Sequence, residues 1–395
     1  MSAGGERALG VCFVNYYAYP FFNPDAGYHF GGAELQLYTM ATELARDPRF
    51  RVSFVVRDDS PPQREEREGV SVRKWAPSFE GPRFVRILRY YRRYWRFLAA
   101  CSPDVVVQRG AGVLSLGLAL FCRLAGARFV FMTAHDSDLE RPVPAWWGRG
   151  WRPRLRWRLY RGALRLAAGV IVQHAGQARQ LAGLGLRAGY VRPCSQRMPP
   201  EDGAPRRFVL WVARCERWKR PRVFVELALA FPAVRFVMVC PPAASEPGYL
   251  EEIAAAAAAA PNLELRGIVP HPEVERLFGE ALAFVNTSQS EGFPNTFVQA
   301  WKHGTPVISL EVDPDGIIER NDLGAVCGGD AQRLRRELGA LLADEEARRR
   351  RSRNAAAYAR AQHDVRAQIE IDKRYLLALC GREAARAGAG LGAAA

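Results

Sequence analysis

Short apolar runs punctuate the chain at intervals, and segments of helical period fill the gaps between them. In the first half the runs are Gly10–Asn15, Val52–Val56, Asp104–Gln108, Phe129–Thr133 and Val170–Gln173. In the second they are Phe208–Ala213, Val234–Val239, Leu263–Arg266, Ala283–Asn286 and Val307–Ser309. Each reads as a strand, and the intervening stretches read as helices; Ala33, Leu37, Met40, Ala41 and Leu44, for example, recur at helical spacing. This alternation predicts an α/β fold of parallel sheets covered by helices. The polar, Pro-rich stretch Gln196–Arg206 breaks the pattern and predicts a linker at 199–206 between a domain over 1–198 and another over 207–362. A last helix is expected over His363–Leu379, and the Gly/Ala-rich residues 382–395 are expected to be disordered.

One stretch concentrates the candidate chemistry. After the run ending at Asn286 comes a polar loop, then a short helix expected to be capped by Asn295, followed by Gly304 and stopped by Pro306 before the strand Val307–Ser309. The order strand, loop, helix N-terminus puts backbone N–H groups at the carboxyl end of a parallel strand, where α/β sheets hold anionic ligands. Glu291 lies in that loop, eight residues before Gln299 on the helix. A carboxylate there would repel a phosphate, so its expected partners are hydroxyl groups. Phosphate donors beside hydroxyl acceptors suit a sugar nucleotide. A second cluster, Arg214-Cys-Glu-Arg-Trp-Lys219, follows the run Phe208–Ala213 directly. Two cations just past a strand make a clamp for a diphosphate.

Composition narrows the field. The net charge of +15 calls for an anionic partner: a phosphorylated substrate, an anionic membrane surface or nucleic acid. No nucleic-acid-binding motif accompanies the charge, so nucleic acid is not expected. Eight scattered cysteines without a Cys-x-x-Cys pair read as reduced core thiols. With neither a signal-peptide pattern nor an apolar stretch long enough to span a bilayer, the expected location is the cytoplasm, at the inner face of the membrane if the protein binds lipid. The fingerprint Gly-x-Gly-x-x-Gly is absent, which argues against an NAD enzyme.

The stretch Glu291-Gly-Phe-Pro, Gln299-Ala300, Gly304-Thr-Pro-Val307 resembles the donor-binding motif of family 4 of the glycosyltransferases, retaining enzymes of the GT-B fold. The motif pairs two glutamates with seven residues between them; here Gln299 replaces the second, and on the resemblance it would hold the ribose of the donor. The resemblance implies two Rossmann-like domains facing across a cleft, with the final segment 363–381 crossing back to the first. It implies transfer of a sugar from a nucleotide-diphosphate sugar to a glycan or lipid-linked acceptor, with no further cofactor and no metal. Carried onto this chain, the catalytic set is Glu291, Lys219, Arg214 and His135. The substrate-binding set is Gly31, Gly32, Asp138, Ile268, Val269, Gly292, Phe293, Pro294, Asn295, Thr296 and Gln299. Asp136-Ser-Asp138 imitates a metal-binding Asp-x-Asp but is discounted, because GT-B enzymes do not need a chelated metal. The loss of carboxylate at Gln299 keeps open a second class, a non-catalytic sugar-nucleotide-binding module. A third, an epimerase or phosphorylase, is weakened by the lack of a lysine recognisably placed for pyridoxal phosphate.

Two segments mix arginines with aromatics at helical density, Arg83–Phe97 and Arg141–Arg165, the latter with Trp146, Trp147, Trp151 and Trp157. They fit a peripheral contact with an anionic membrane or, equally, surface helices whose rings pack inward.

Overall fold

The computed structural model describes residues 7–26, 31–58, 60–76, 83–112, 114–140, 153–200 and 205–382. The chain divides into two compact units, residues 1–193 with 365–395 and residues 194–364. The first boundary thus precedes the stretch expected to act as linker. Arg206, assigned to that linker, is fixed within the second unit: its guanidinium donates to Ala281 O, His303 O, Gly304 O and Thr305 Oγ1.

The first unit is built on eight strands. They are β1 (Leu9–Val14), β2 (Phe50–Val56), β3 (Arg64–Arg67), β4 (Val70–Lys74), β5 (Val105–Arg109), β6 (Arg128–Met132), β7 (Gly169–Val172) and β8 (Tyr190–Val191). Their order is β3-β4-β2-β1-β5-β6-β7-β8, and every neighbouring pair is parallel except the edge hairpin β3–β4. Val11 of β1 sits beside Val52 on one flank and Val105 on the other, so the central strands are apolar on both faces. The helices Arg83–Ala99, Ser115–Ala125 and Pro153–Leu166 pack one face through Tyr94, Leu98, Leu118, Phe121, Trp157 and Tyr160. The helices Gly32–Leu44 and Val365–Leu379 pack the other through Leu37, Met40, Leu44, Ile369, Leu376 and Leu377. The last helix therefore belongs to the first unit. His363 does not open it but closes the preceding helix Glu345–His363.

A buried polar knot anchors that last helix. Arg192 Nε donates to both oxygens of Asp372 at 3.0 Å, Arg192 Nη1 donates to Gln36 Oε1 at 3.2 Å, and the Tyr190 hydroxyl donates to Asp372 Oδ1. The Arg192 and Asp372 side chains are all but sealed from water.

The second unit holds six parallel strands, β9 (Phe208–Val212), β10 (Phe236–Val239), β11 (Leu263–Arg266), β12 (Ala281–Asn286), β13 (Val307–Ser309) and β14 (Gly324–Val326). Their order is β11-β10-β9-β12-β13-β14. Numbered within the unit this is 3-2-1-4-5-6, the doubly wound order, with its switch point between β9 and β12. Helices cover both faces, and Trp211, Phe224 and Phe236 fill one core while Phe278, Phe297 and Trp301 fill the other. The short helix of the sequence motif spans Asn295–Lys302. Pro294, not Asn295, takes the capping position, and no side chain caps it. Gly304 follows with φ +64°, a conformation that disfavours a side chain, and a Cβ there would meet Ser352 O at 3.0 Å.

The Arg/aromatic segments resolve in favour of inward packing wherever they are described. Tyr94, Trp157 and Tyr160 are buried, and Tyr90, Trp95 and Phe97 lie partly buried against the same core. Trp146, Trp147 and Trp151 fall outside the described residues. No described helix is long and apolar enough to cross a membrane.

Candidate active site

In an open parallel sheet ligands bind at the carboxyl ends of strands at the switch point, where neighbouring loops diverge. In the second unit the two loops at that point follow β9 and β12, and they carry Arg214–Lys219 and Thr287–Pro294. They are stitched together. Gln289 N donates to Trp218 O at 2.9 Å, Thr287 Oγ1 donates to Lys219 O at 2.6 Å, and Trp211 Nε1 donates to Thr287 Oγ1 at 2.9 Å. Arg220, in a left-handed conformation at φ +50°, donates to Thr287 O at 2.7 Å, Ser288 O at 3.1 Å and Glu311 Oε2 at 2.6 Å.

This stitching brings Lys219 against Glu291. The ammonium donates to Glu291 Oε1, which also accepts from Ser288 Oγ at 2.8 Å. Lys219 Nζ lies 3.8 Å from the centre of the Trp218 ring, so the cation has an aromatic face on another side. Arg214 stands apart from this pair: its side chain is 58% exposed and, among the described residues, reaches only Glu216, Nη2 to Oε2 3.4 Å. The helix Asn295–Lys302 begins just after the loop, so its amino end, with the Asn295 and Thr296 backbone, lies at the carboxyl end of β12.

At several other expected positions the side chain is engaged by the fold or packs against it. Phe293 is core: its ring packs on Trp301 and His363, with centroids 6.3 and 5.2 Å apart, and its carbonyl accepts from Cys194 Sγ. Gly292 and Pro294 are buried beside it. Ile268 is 46% exposed beyond β11, while Val269 packs against the core. Gln299 is buried, and its Nε2 donates to Glu275 Oε1 at 2.8 Å.

In the first unit, Gly31 opens the helix Gly32–Leu44, and its N–H donates to Glu34 Oε2 at 2.9 Å. Glu34 Oε1 also accepts from Asn15 Nδ2 at 3.3 Å. His135 follows β6. Its Nδ1 accepts from Ser137 N at 3.1 Å and lies 2.8 Å from Ser137 Oγ, which puts the proton of the neutral ring on Nε2. Asp138 is a correction. It is 2% exposed, and its oxygens accept from the N–H groups of Ala111, Ala134 and His135, so it holds its own loop and is not available to an acceptor. Burial raises its carboxyl above the usual range against those three bonds. Burial also works against charge on Asp136, but hydrogen bonds from His174 and Gln177 outweigh it and hold the carboxyl low. Both acids of the Asp-x-Asp imitation are thus engaged by the fold.

A cleft of about 600 Å³ lies where the chain leaves β1 and β2, lined by Tyr16, Tyr17, Tyr19, Asn23, Arg57 and Asp58. Arg220, Ser288 and Glu275 were missed by the sequence reading. Only Arg220 carried a signal, its place before a proline that opens the helix Pro221–Ala230.

Residues 31–195 match the model of the glycosyl transferase 4-like domain, and residues 206–344 match that of glycosyl transferases group 1. The chain belongs to the group 1, glycosyltransferase 4-like proteins. This glycosyltransferase has the two Rossmann-like units of the GT-B class, which acts on nucleotide sugars. It is similar in fold to sucrose-phosphate synthase from Thermosynechococcus elongatus, with 16% identity and a TM-score of 0.75 over 95% of this chain and 100% of that one. HepE of Anabaena, crystallised with UDP and glucose, gives 17% and 0.72 over 93% and 99%. WaaG, a glycosyltransferase involved in lipopolysaccharide biosynthesis, gives 16% and 0.64 over 94% and 100%. No curated protein sequence matches the glycosyltransferase.

Proposed function

We propose that this glycosyltransferase moves a sugar with retention of configuration from a nucleotide-diphosphate sugar to a glycan or lipid-linked acceptor, in the biosynthesis of a cell-surface polysaccharide or glycoconjugate. The observation that carries the reading is the meeting of Lys219 and Glu291 at the switch point of the second sheet. A cation for phosphate and a carboxylate for hydroxyls are the two things a sugar diphosphate needs from one place. HepE, whose fold the chain shares, was also crystallised with UDP-glucose.

In this reading Lys219, joined by the exposed Arg214, neutralises the diphosphate as the C1–oxygen bond breaks. The backbone of Gly292–Thr296 lends the dipole of the helix amino end to the same charge. Glu291 accepts from sugar hydroxyls. The acceptor oxygen attacks C1 from the face the phosphate leaves, and its proton passes to the departing phosphate oxygen, so no enzyme nucleophile is required. His135 donates from Nε2 to the sugar, the Gly31-Gly32 loop faces the diphosphate and the acceptor, and the Ile268–Val269 turn meets the base. Asp136 and Asp138 are consumed by the fold, and the two cations supply positive charge, so the reaction runs without a metal.

The membrane contact rests on the outer face of the helices Arg83–Ala99 and Pro153–Leu166. Arg89, Arg92, Arg93, Arg96, Arg158 and Arg165 are exposed there. Among them Leu88 is 65% and Leu159 47% exposed. Such a face suits an anionic bilayer and a lipid-linked acceptor at the inner side of a membrane.

Incubating the purified chain with a panel of sugar nucleotides without acceptor, with and without excess chelator, tests the proposal. Slow hydrolysis of one donor with release of the retained anomer is expected in both arms. Binding without hydrolysis in both arms would favour the non-catalytic module, and loss with chelator restored by Mg²⁺ would overturn metal independence.

A further inference from the structure

Gln299 stands where the motif calls for a second carboxylate. The structure shows what surrounds the amide. Gln299 is 6% exposed and its Nε2 donates to Glu275 Oε1 at 2.8 Å. Glu275, on the helix His271–Glu280, is a hub: its Oε2 lies 2.6 Å from Lys302 Nζ and 3.0 Å from His303 Nε2, and His271 Nε2 lies 3.5 Å from Oε1. Burial opposes charge on this carboxylate, but His303, Lys302, His271 and Gln299 together hold it well below the usual range. Glu275 is therefore an anion and can only accept. The atom that Gln299 turns to it must be the NH₂, which turns the carbonyl oxygen away. Among the described residues no group donates to that oxygen, and it is not sealed from solvent.

We propose that Glu275 is a positioning residue for the donor. It locks the Gln299 amide so that only the carbonyl oxygen meets the ribose, and it holds one step back the negative charge that the motif otherwise places at 299. A hydrogen bond from NH₂ to a carboxylate draws electron density onto the amide oxygen and strengthens it as an acceptor. The same arrangement explains the residue choice. A glutamate at 299 would set two carboxylates face to face in a buried pocket, so the amide is the side chain that fits beside Glu275.

The inference rests on the nucleotide-sugar reading, and calorimetry on the full chain separates the two. The probes are uridine, guanosine and adenosine diphosphates, the 2′-deoxy and 3′-deoxy forms of whichever binds best, and inorganic pyrophosphate. The wild type is expected to lose about tenfold in affinity when the hydroxyl that meets Gln299 is removed, the worth of one hydrogen bond. In Glu275→Gln that discrimination should fall to about twofold or less, while pyrophosphate affinity stays unchanged. Gln299→Glu alone should bind the nucleotide more weakly than wild type, and Glu275→Gln/Gln299→Glu should recover it, a non-additive rescue that a purely structural role does not produce. Undiminished discrimination in Glu275→Gln overturns the proposal. So does a Gln299→Glu variant that binds more tightly with Glu275 in place, a comparison that decides even if Glu275→Gln does not fold. A wild type that binds diphosphates without regard to the ribose hydroxyls sinks this inference alone. A wild type that binds no nucleoside diphosphate sinks the donor reading as well.

Discussion

Lys219 and Glu291 are bonded to each other, ammonium to carboxylate, with Ser288 Oγ on the same Glu291 oxygen. Their side chains are only 12% and 15% exposed. A diphosphate brings more charge to Lys219 than one carboxylate does, so donor binding should break the pair and free Glu291 for the sugar. Lys219→Ala then removes the cation and leaves a carboxylate facing the phosphates. Its kcat/KM should fall by about 100-fold or more with the circular-dichroism spectrum intact. Glu291→Gln separates the two roles. Nucleoside diphosphate should bind at least as tightly as to wild type, because a competitor for Lys219 is gone, while turnover of the sugar donor drops. If the variant loses nucleoside diphosphate affinity as much as turnover, the two residues do not exchange partners in this way.

How far this site could be read in advance depended on what kind of signal each residue leaves. The places of Lys219 and Glu291 in the fold were legible because each follows an apolar strand at short, fixed distance. Their pairing was not, since it depends on β9 and β12 being neighbours in the sheet. Glu275 left no mark: an acid on an amphipathic helix looks the same whether it meets water or Gln299. Asp138 misled for a related reason. A carboxylate after a strand can face a ligand or take backbone N–H groups, and only the loop's return past Ala111 decides. Helical spacing in Arg83–Phe97 gave the helix, but rings and arginines alternate there, so the pattern alone could not say that Tyr94 is core. The hairpin β3–β4 escaped because Arg64–Arg67 has no apolar alternation; cross-strand pairing holds it, with Glu65 accepting from Tyr19.

The Arg192–Asp372 pair fastens the last helix to the first unit in a water-free setting. Removing one partner leaves a buried charge without its counter-ion. Asp372→Ala should cost about 3–5 kcal/mol of stability, against much less for the double variant Arg192→Met/Asp372→Leu, which removes both charges and keeps the volume. Denaturant unfolding of the three proteins measures this. A double variant as unstable as the single one would show that the charges themselves carry the stability.

His363 sets an acid limit. It is buried among Phe293, Trp301 and Tyr358, its Nδ1 donates to Cys194 O at 2.6 Å, and burial lowers its pKa to about 4. The unfolded chain titrates this group near 6.5, so between those values it binds more protons than the folded one. Stability from His363 is complete above about pH 6.5 and is lost as pH falls to about 4, a change on the order of 3 kcal/mol. His271, also lowered by burial, adds a loss of the same sign. The carboxylates held low, such as Glu275 and Asp136, matter only in more acid solution. His363→Asn keeps a donor for Cys194 O and cannot titrate. Its urea midpoint should therefore fall less between pH 7 and pH 5 than that of wild type. Equal falls in the two proteins would take His363 out of the acid response.

The surface of the helices Arg83–Ala99 and Pro153–Leu166 makes a prediction about lipid. With the described rings packed inward, attraction to a membrane must come from the exposed arginines and from Leu88, Leu155 and Leu159. Each arginine near an anionic surface contributes about 1 kcal/mol, screened within a Debye length of about 8 Å at physiological salt. Leucine insertion adds a part that salt does not weaken. Binding to vesicles of anionic lipid should thus be strong at low salt and fall, though not to zero, as salt rises. Reversing Arg89, Arg92, Arg93 and Arg96 to Glu should remove most of the salt-sensitive part, leaving that of Arg158 and Arg165. Replacing Leu88 and Leu159 by Ala should lower the remainder, and since both residues are already about half exposed or more, neither set should reduce the melting temperature much. Zwitterionic vesicles serve as the control and should bind weakly throughout. A wild-type protein that ignores anionic vesicles at low salt, or an arginine-reversed variant that binds them as strongly and with the same salt dependence as wild type, would mean that these arginines are merely solvated and that the acceptor reaches the enzyme by another route.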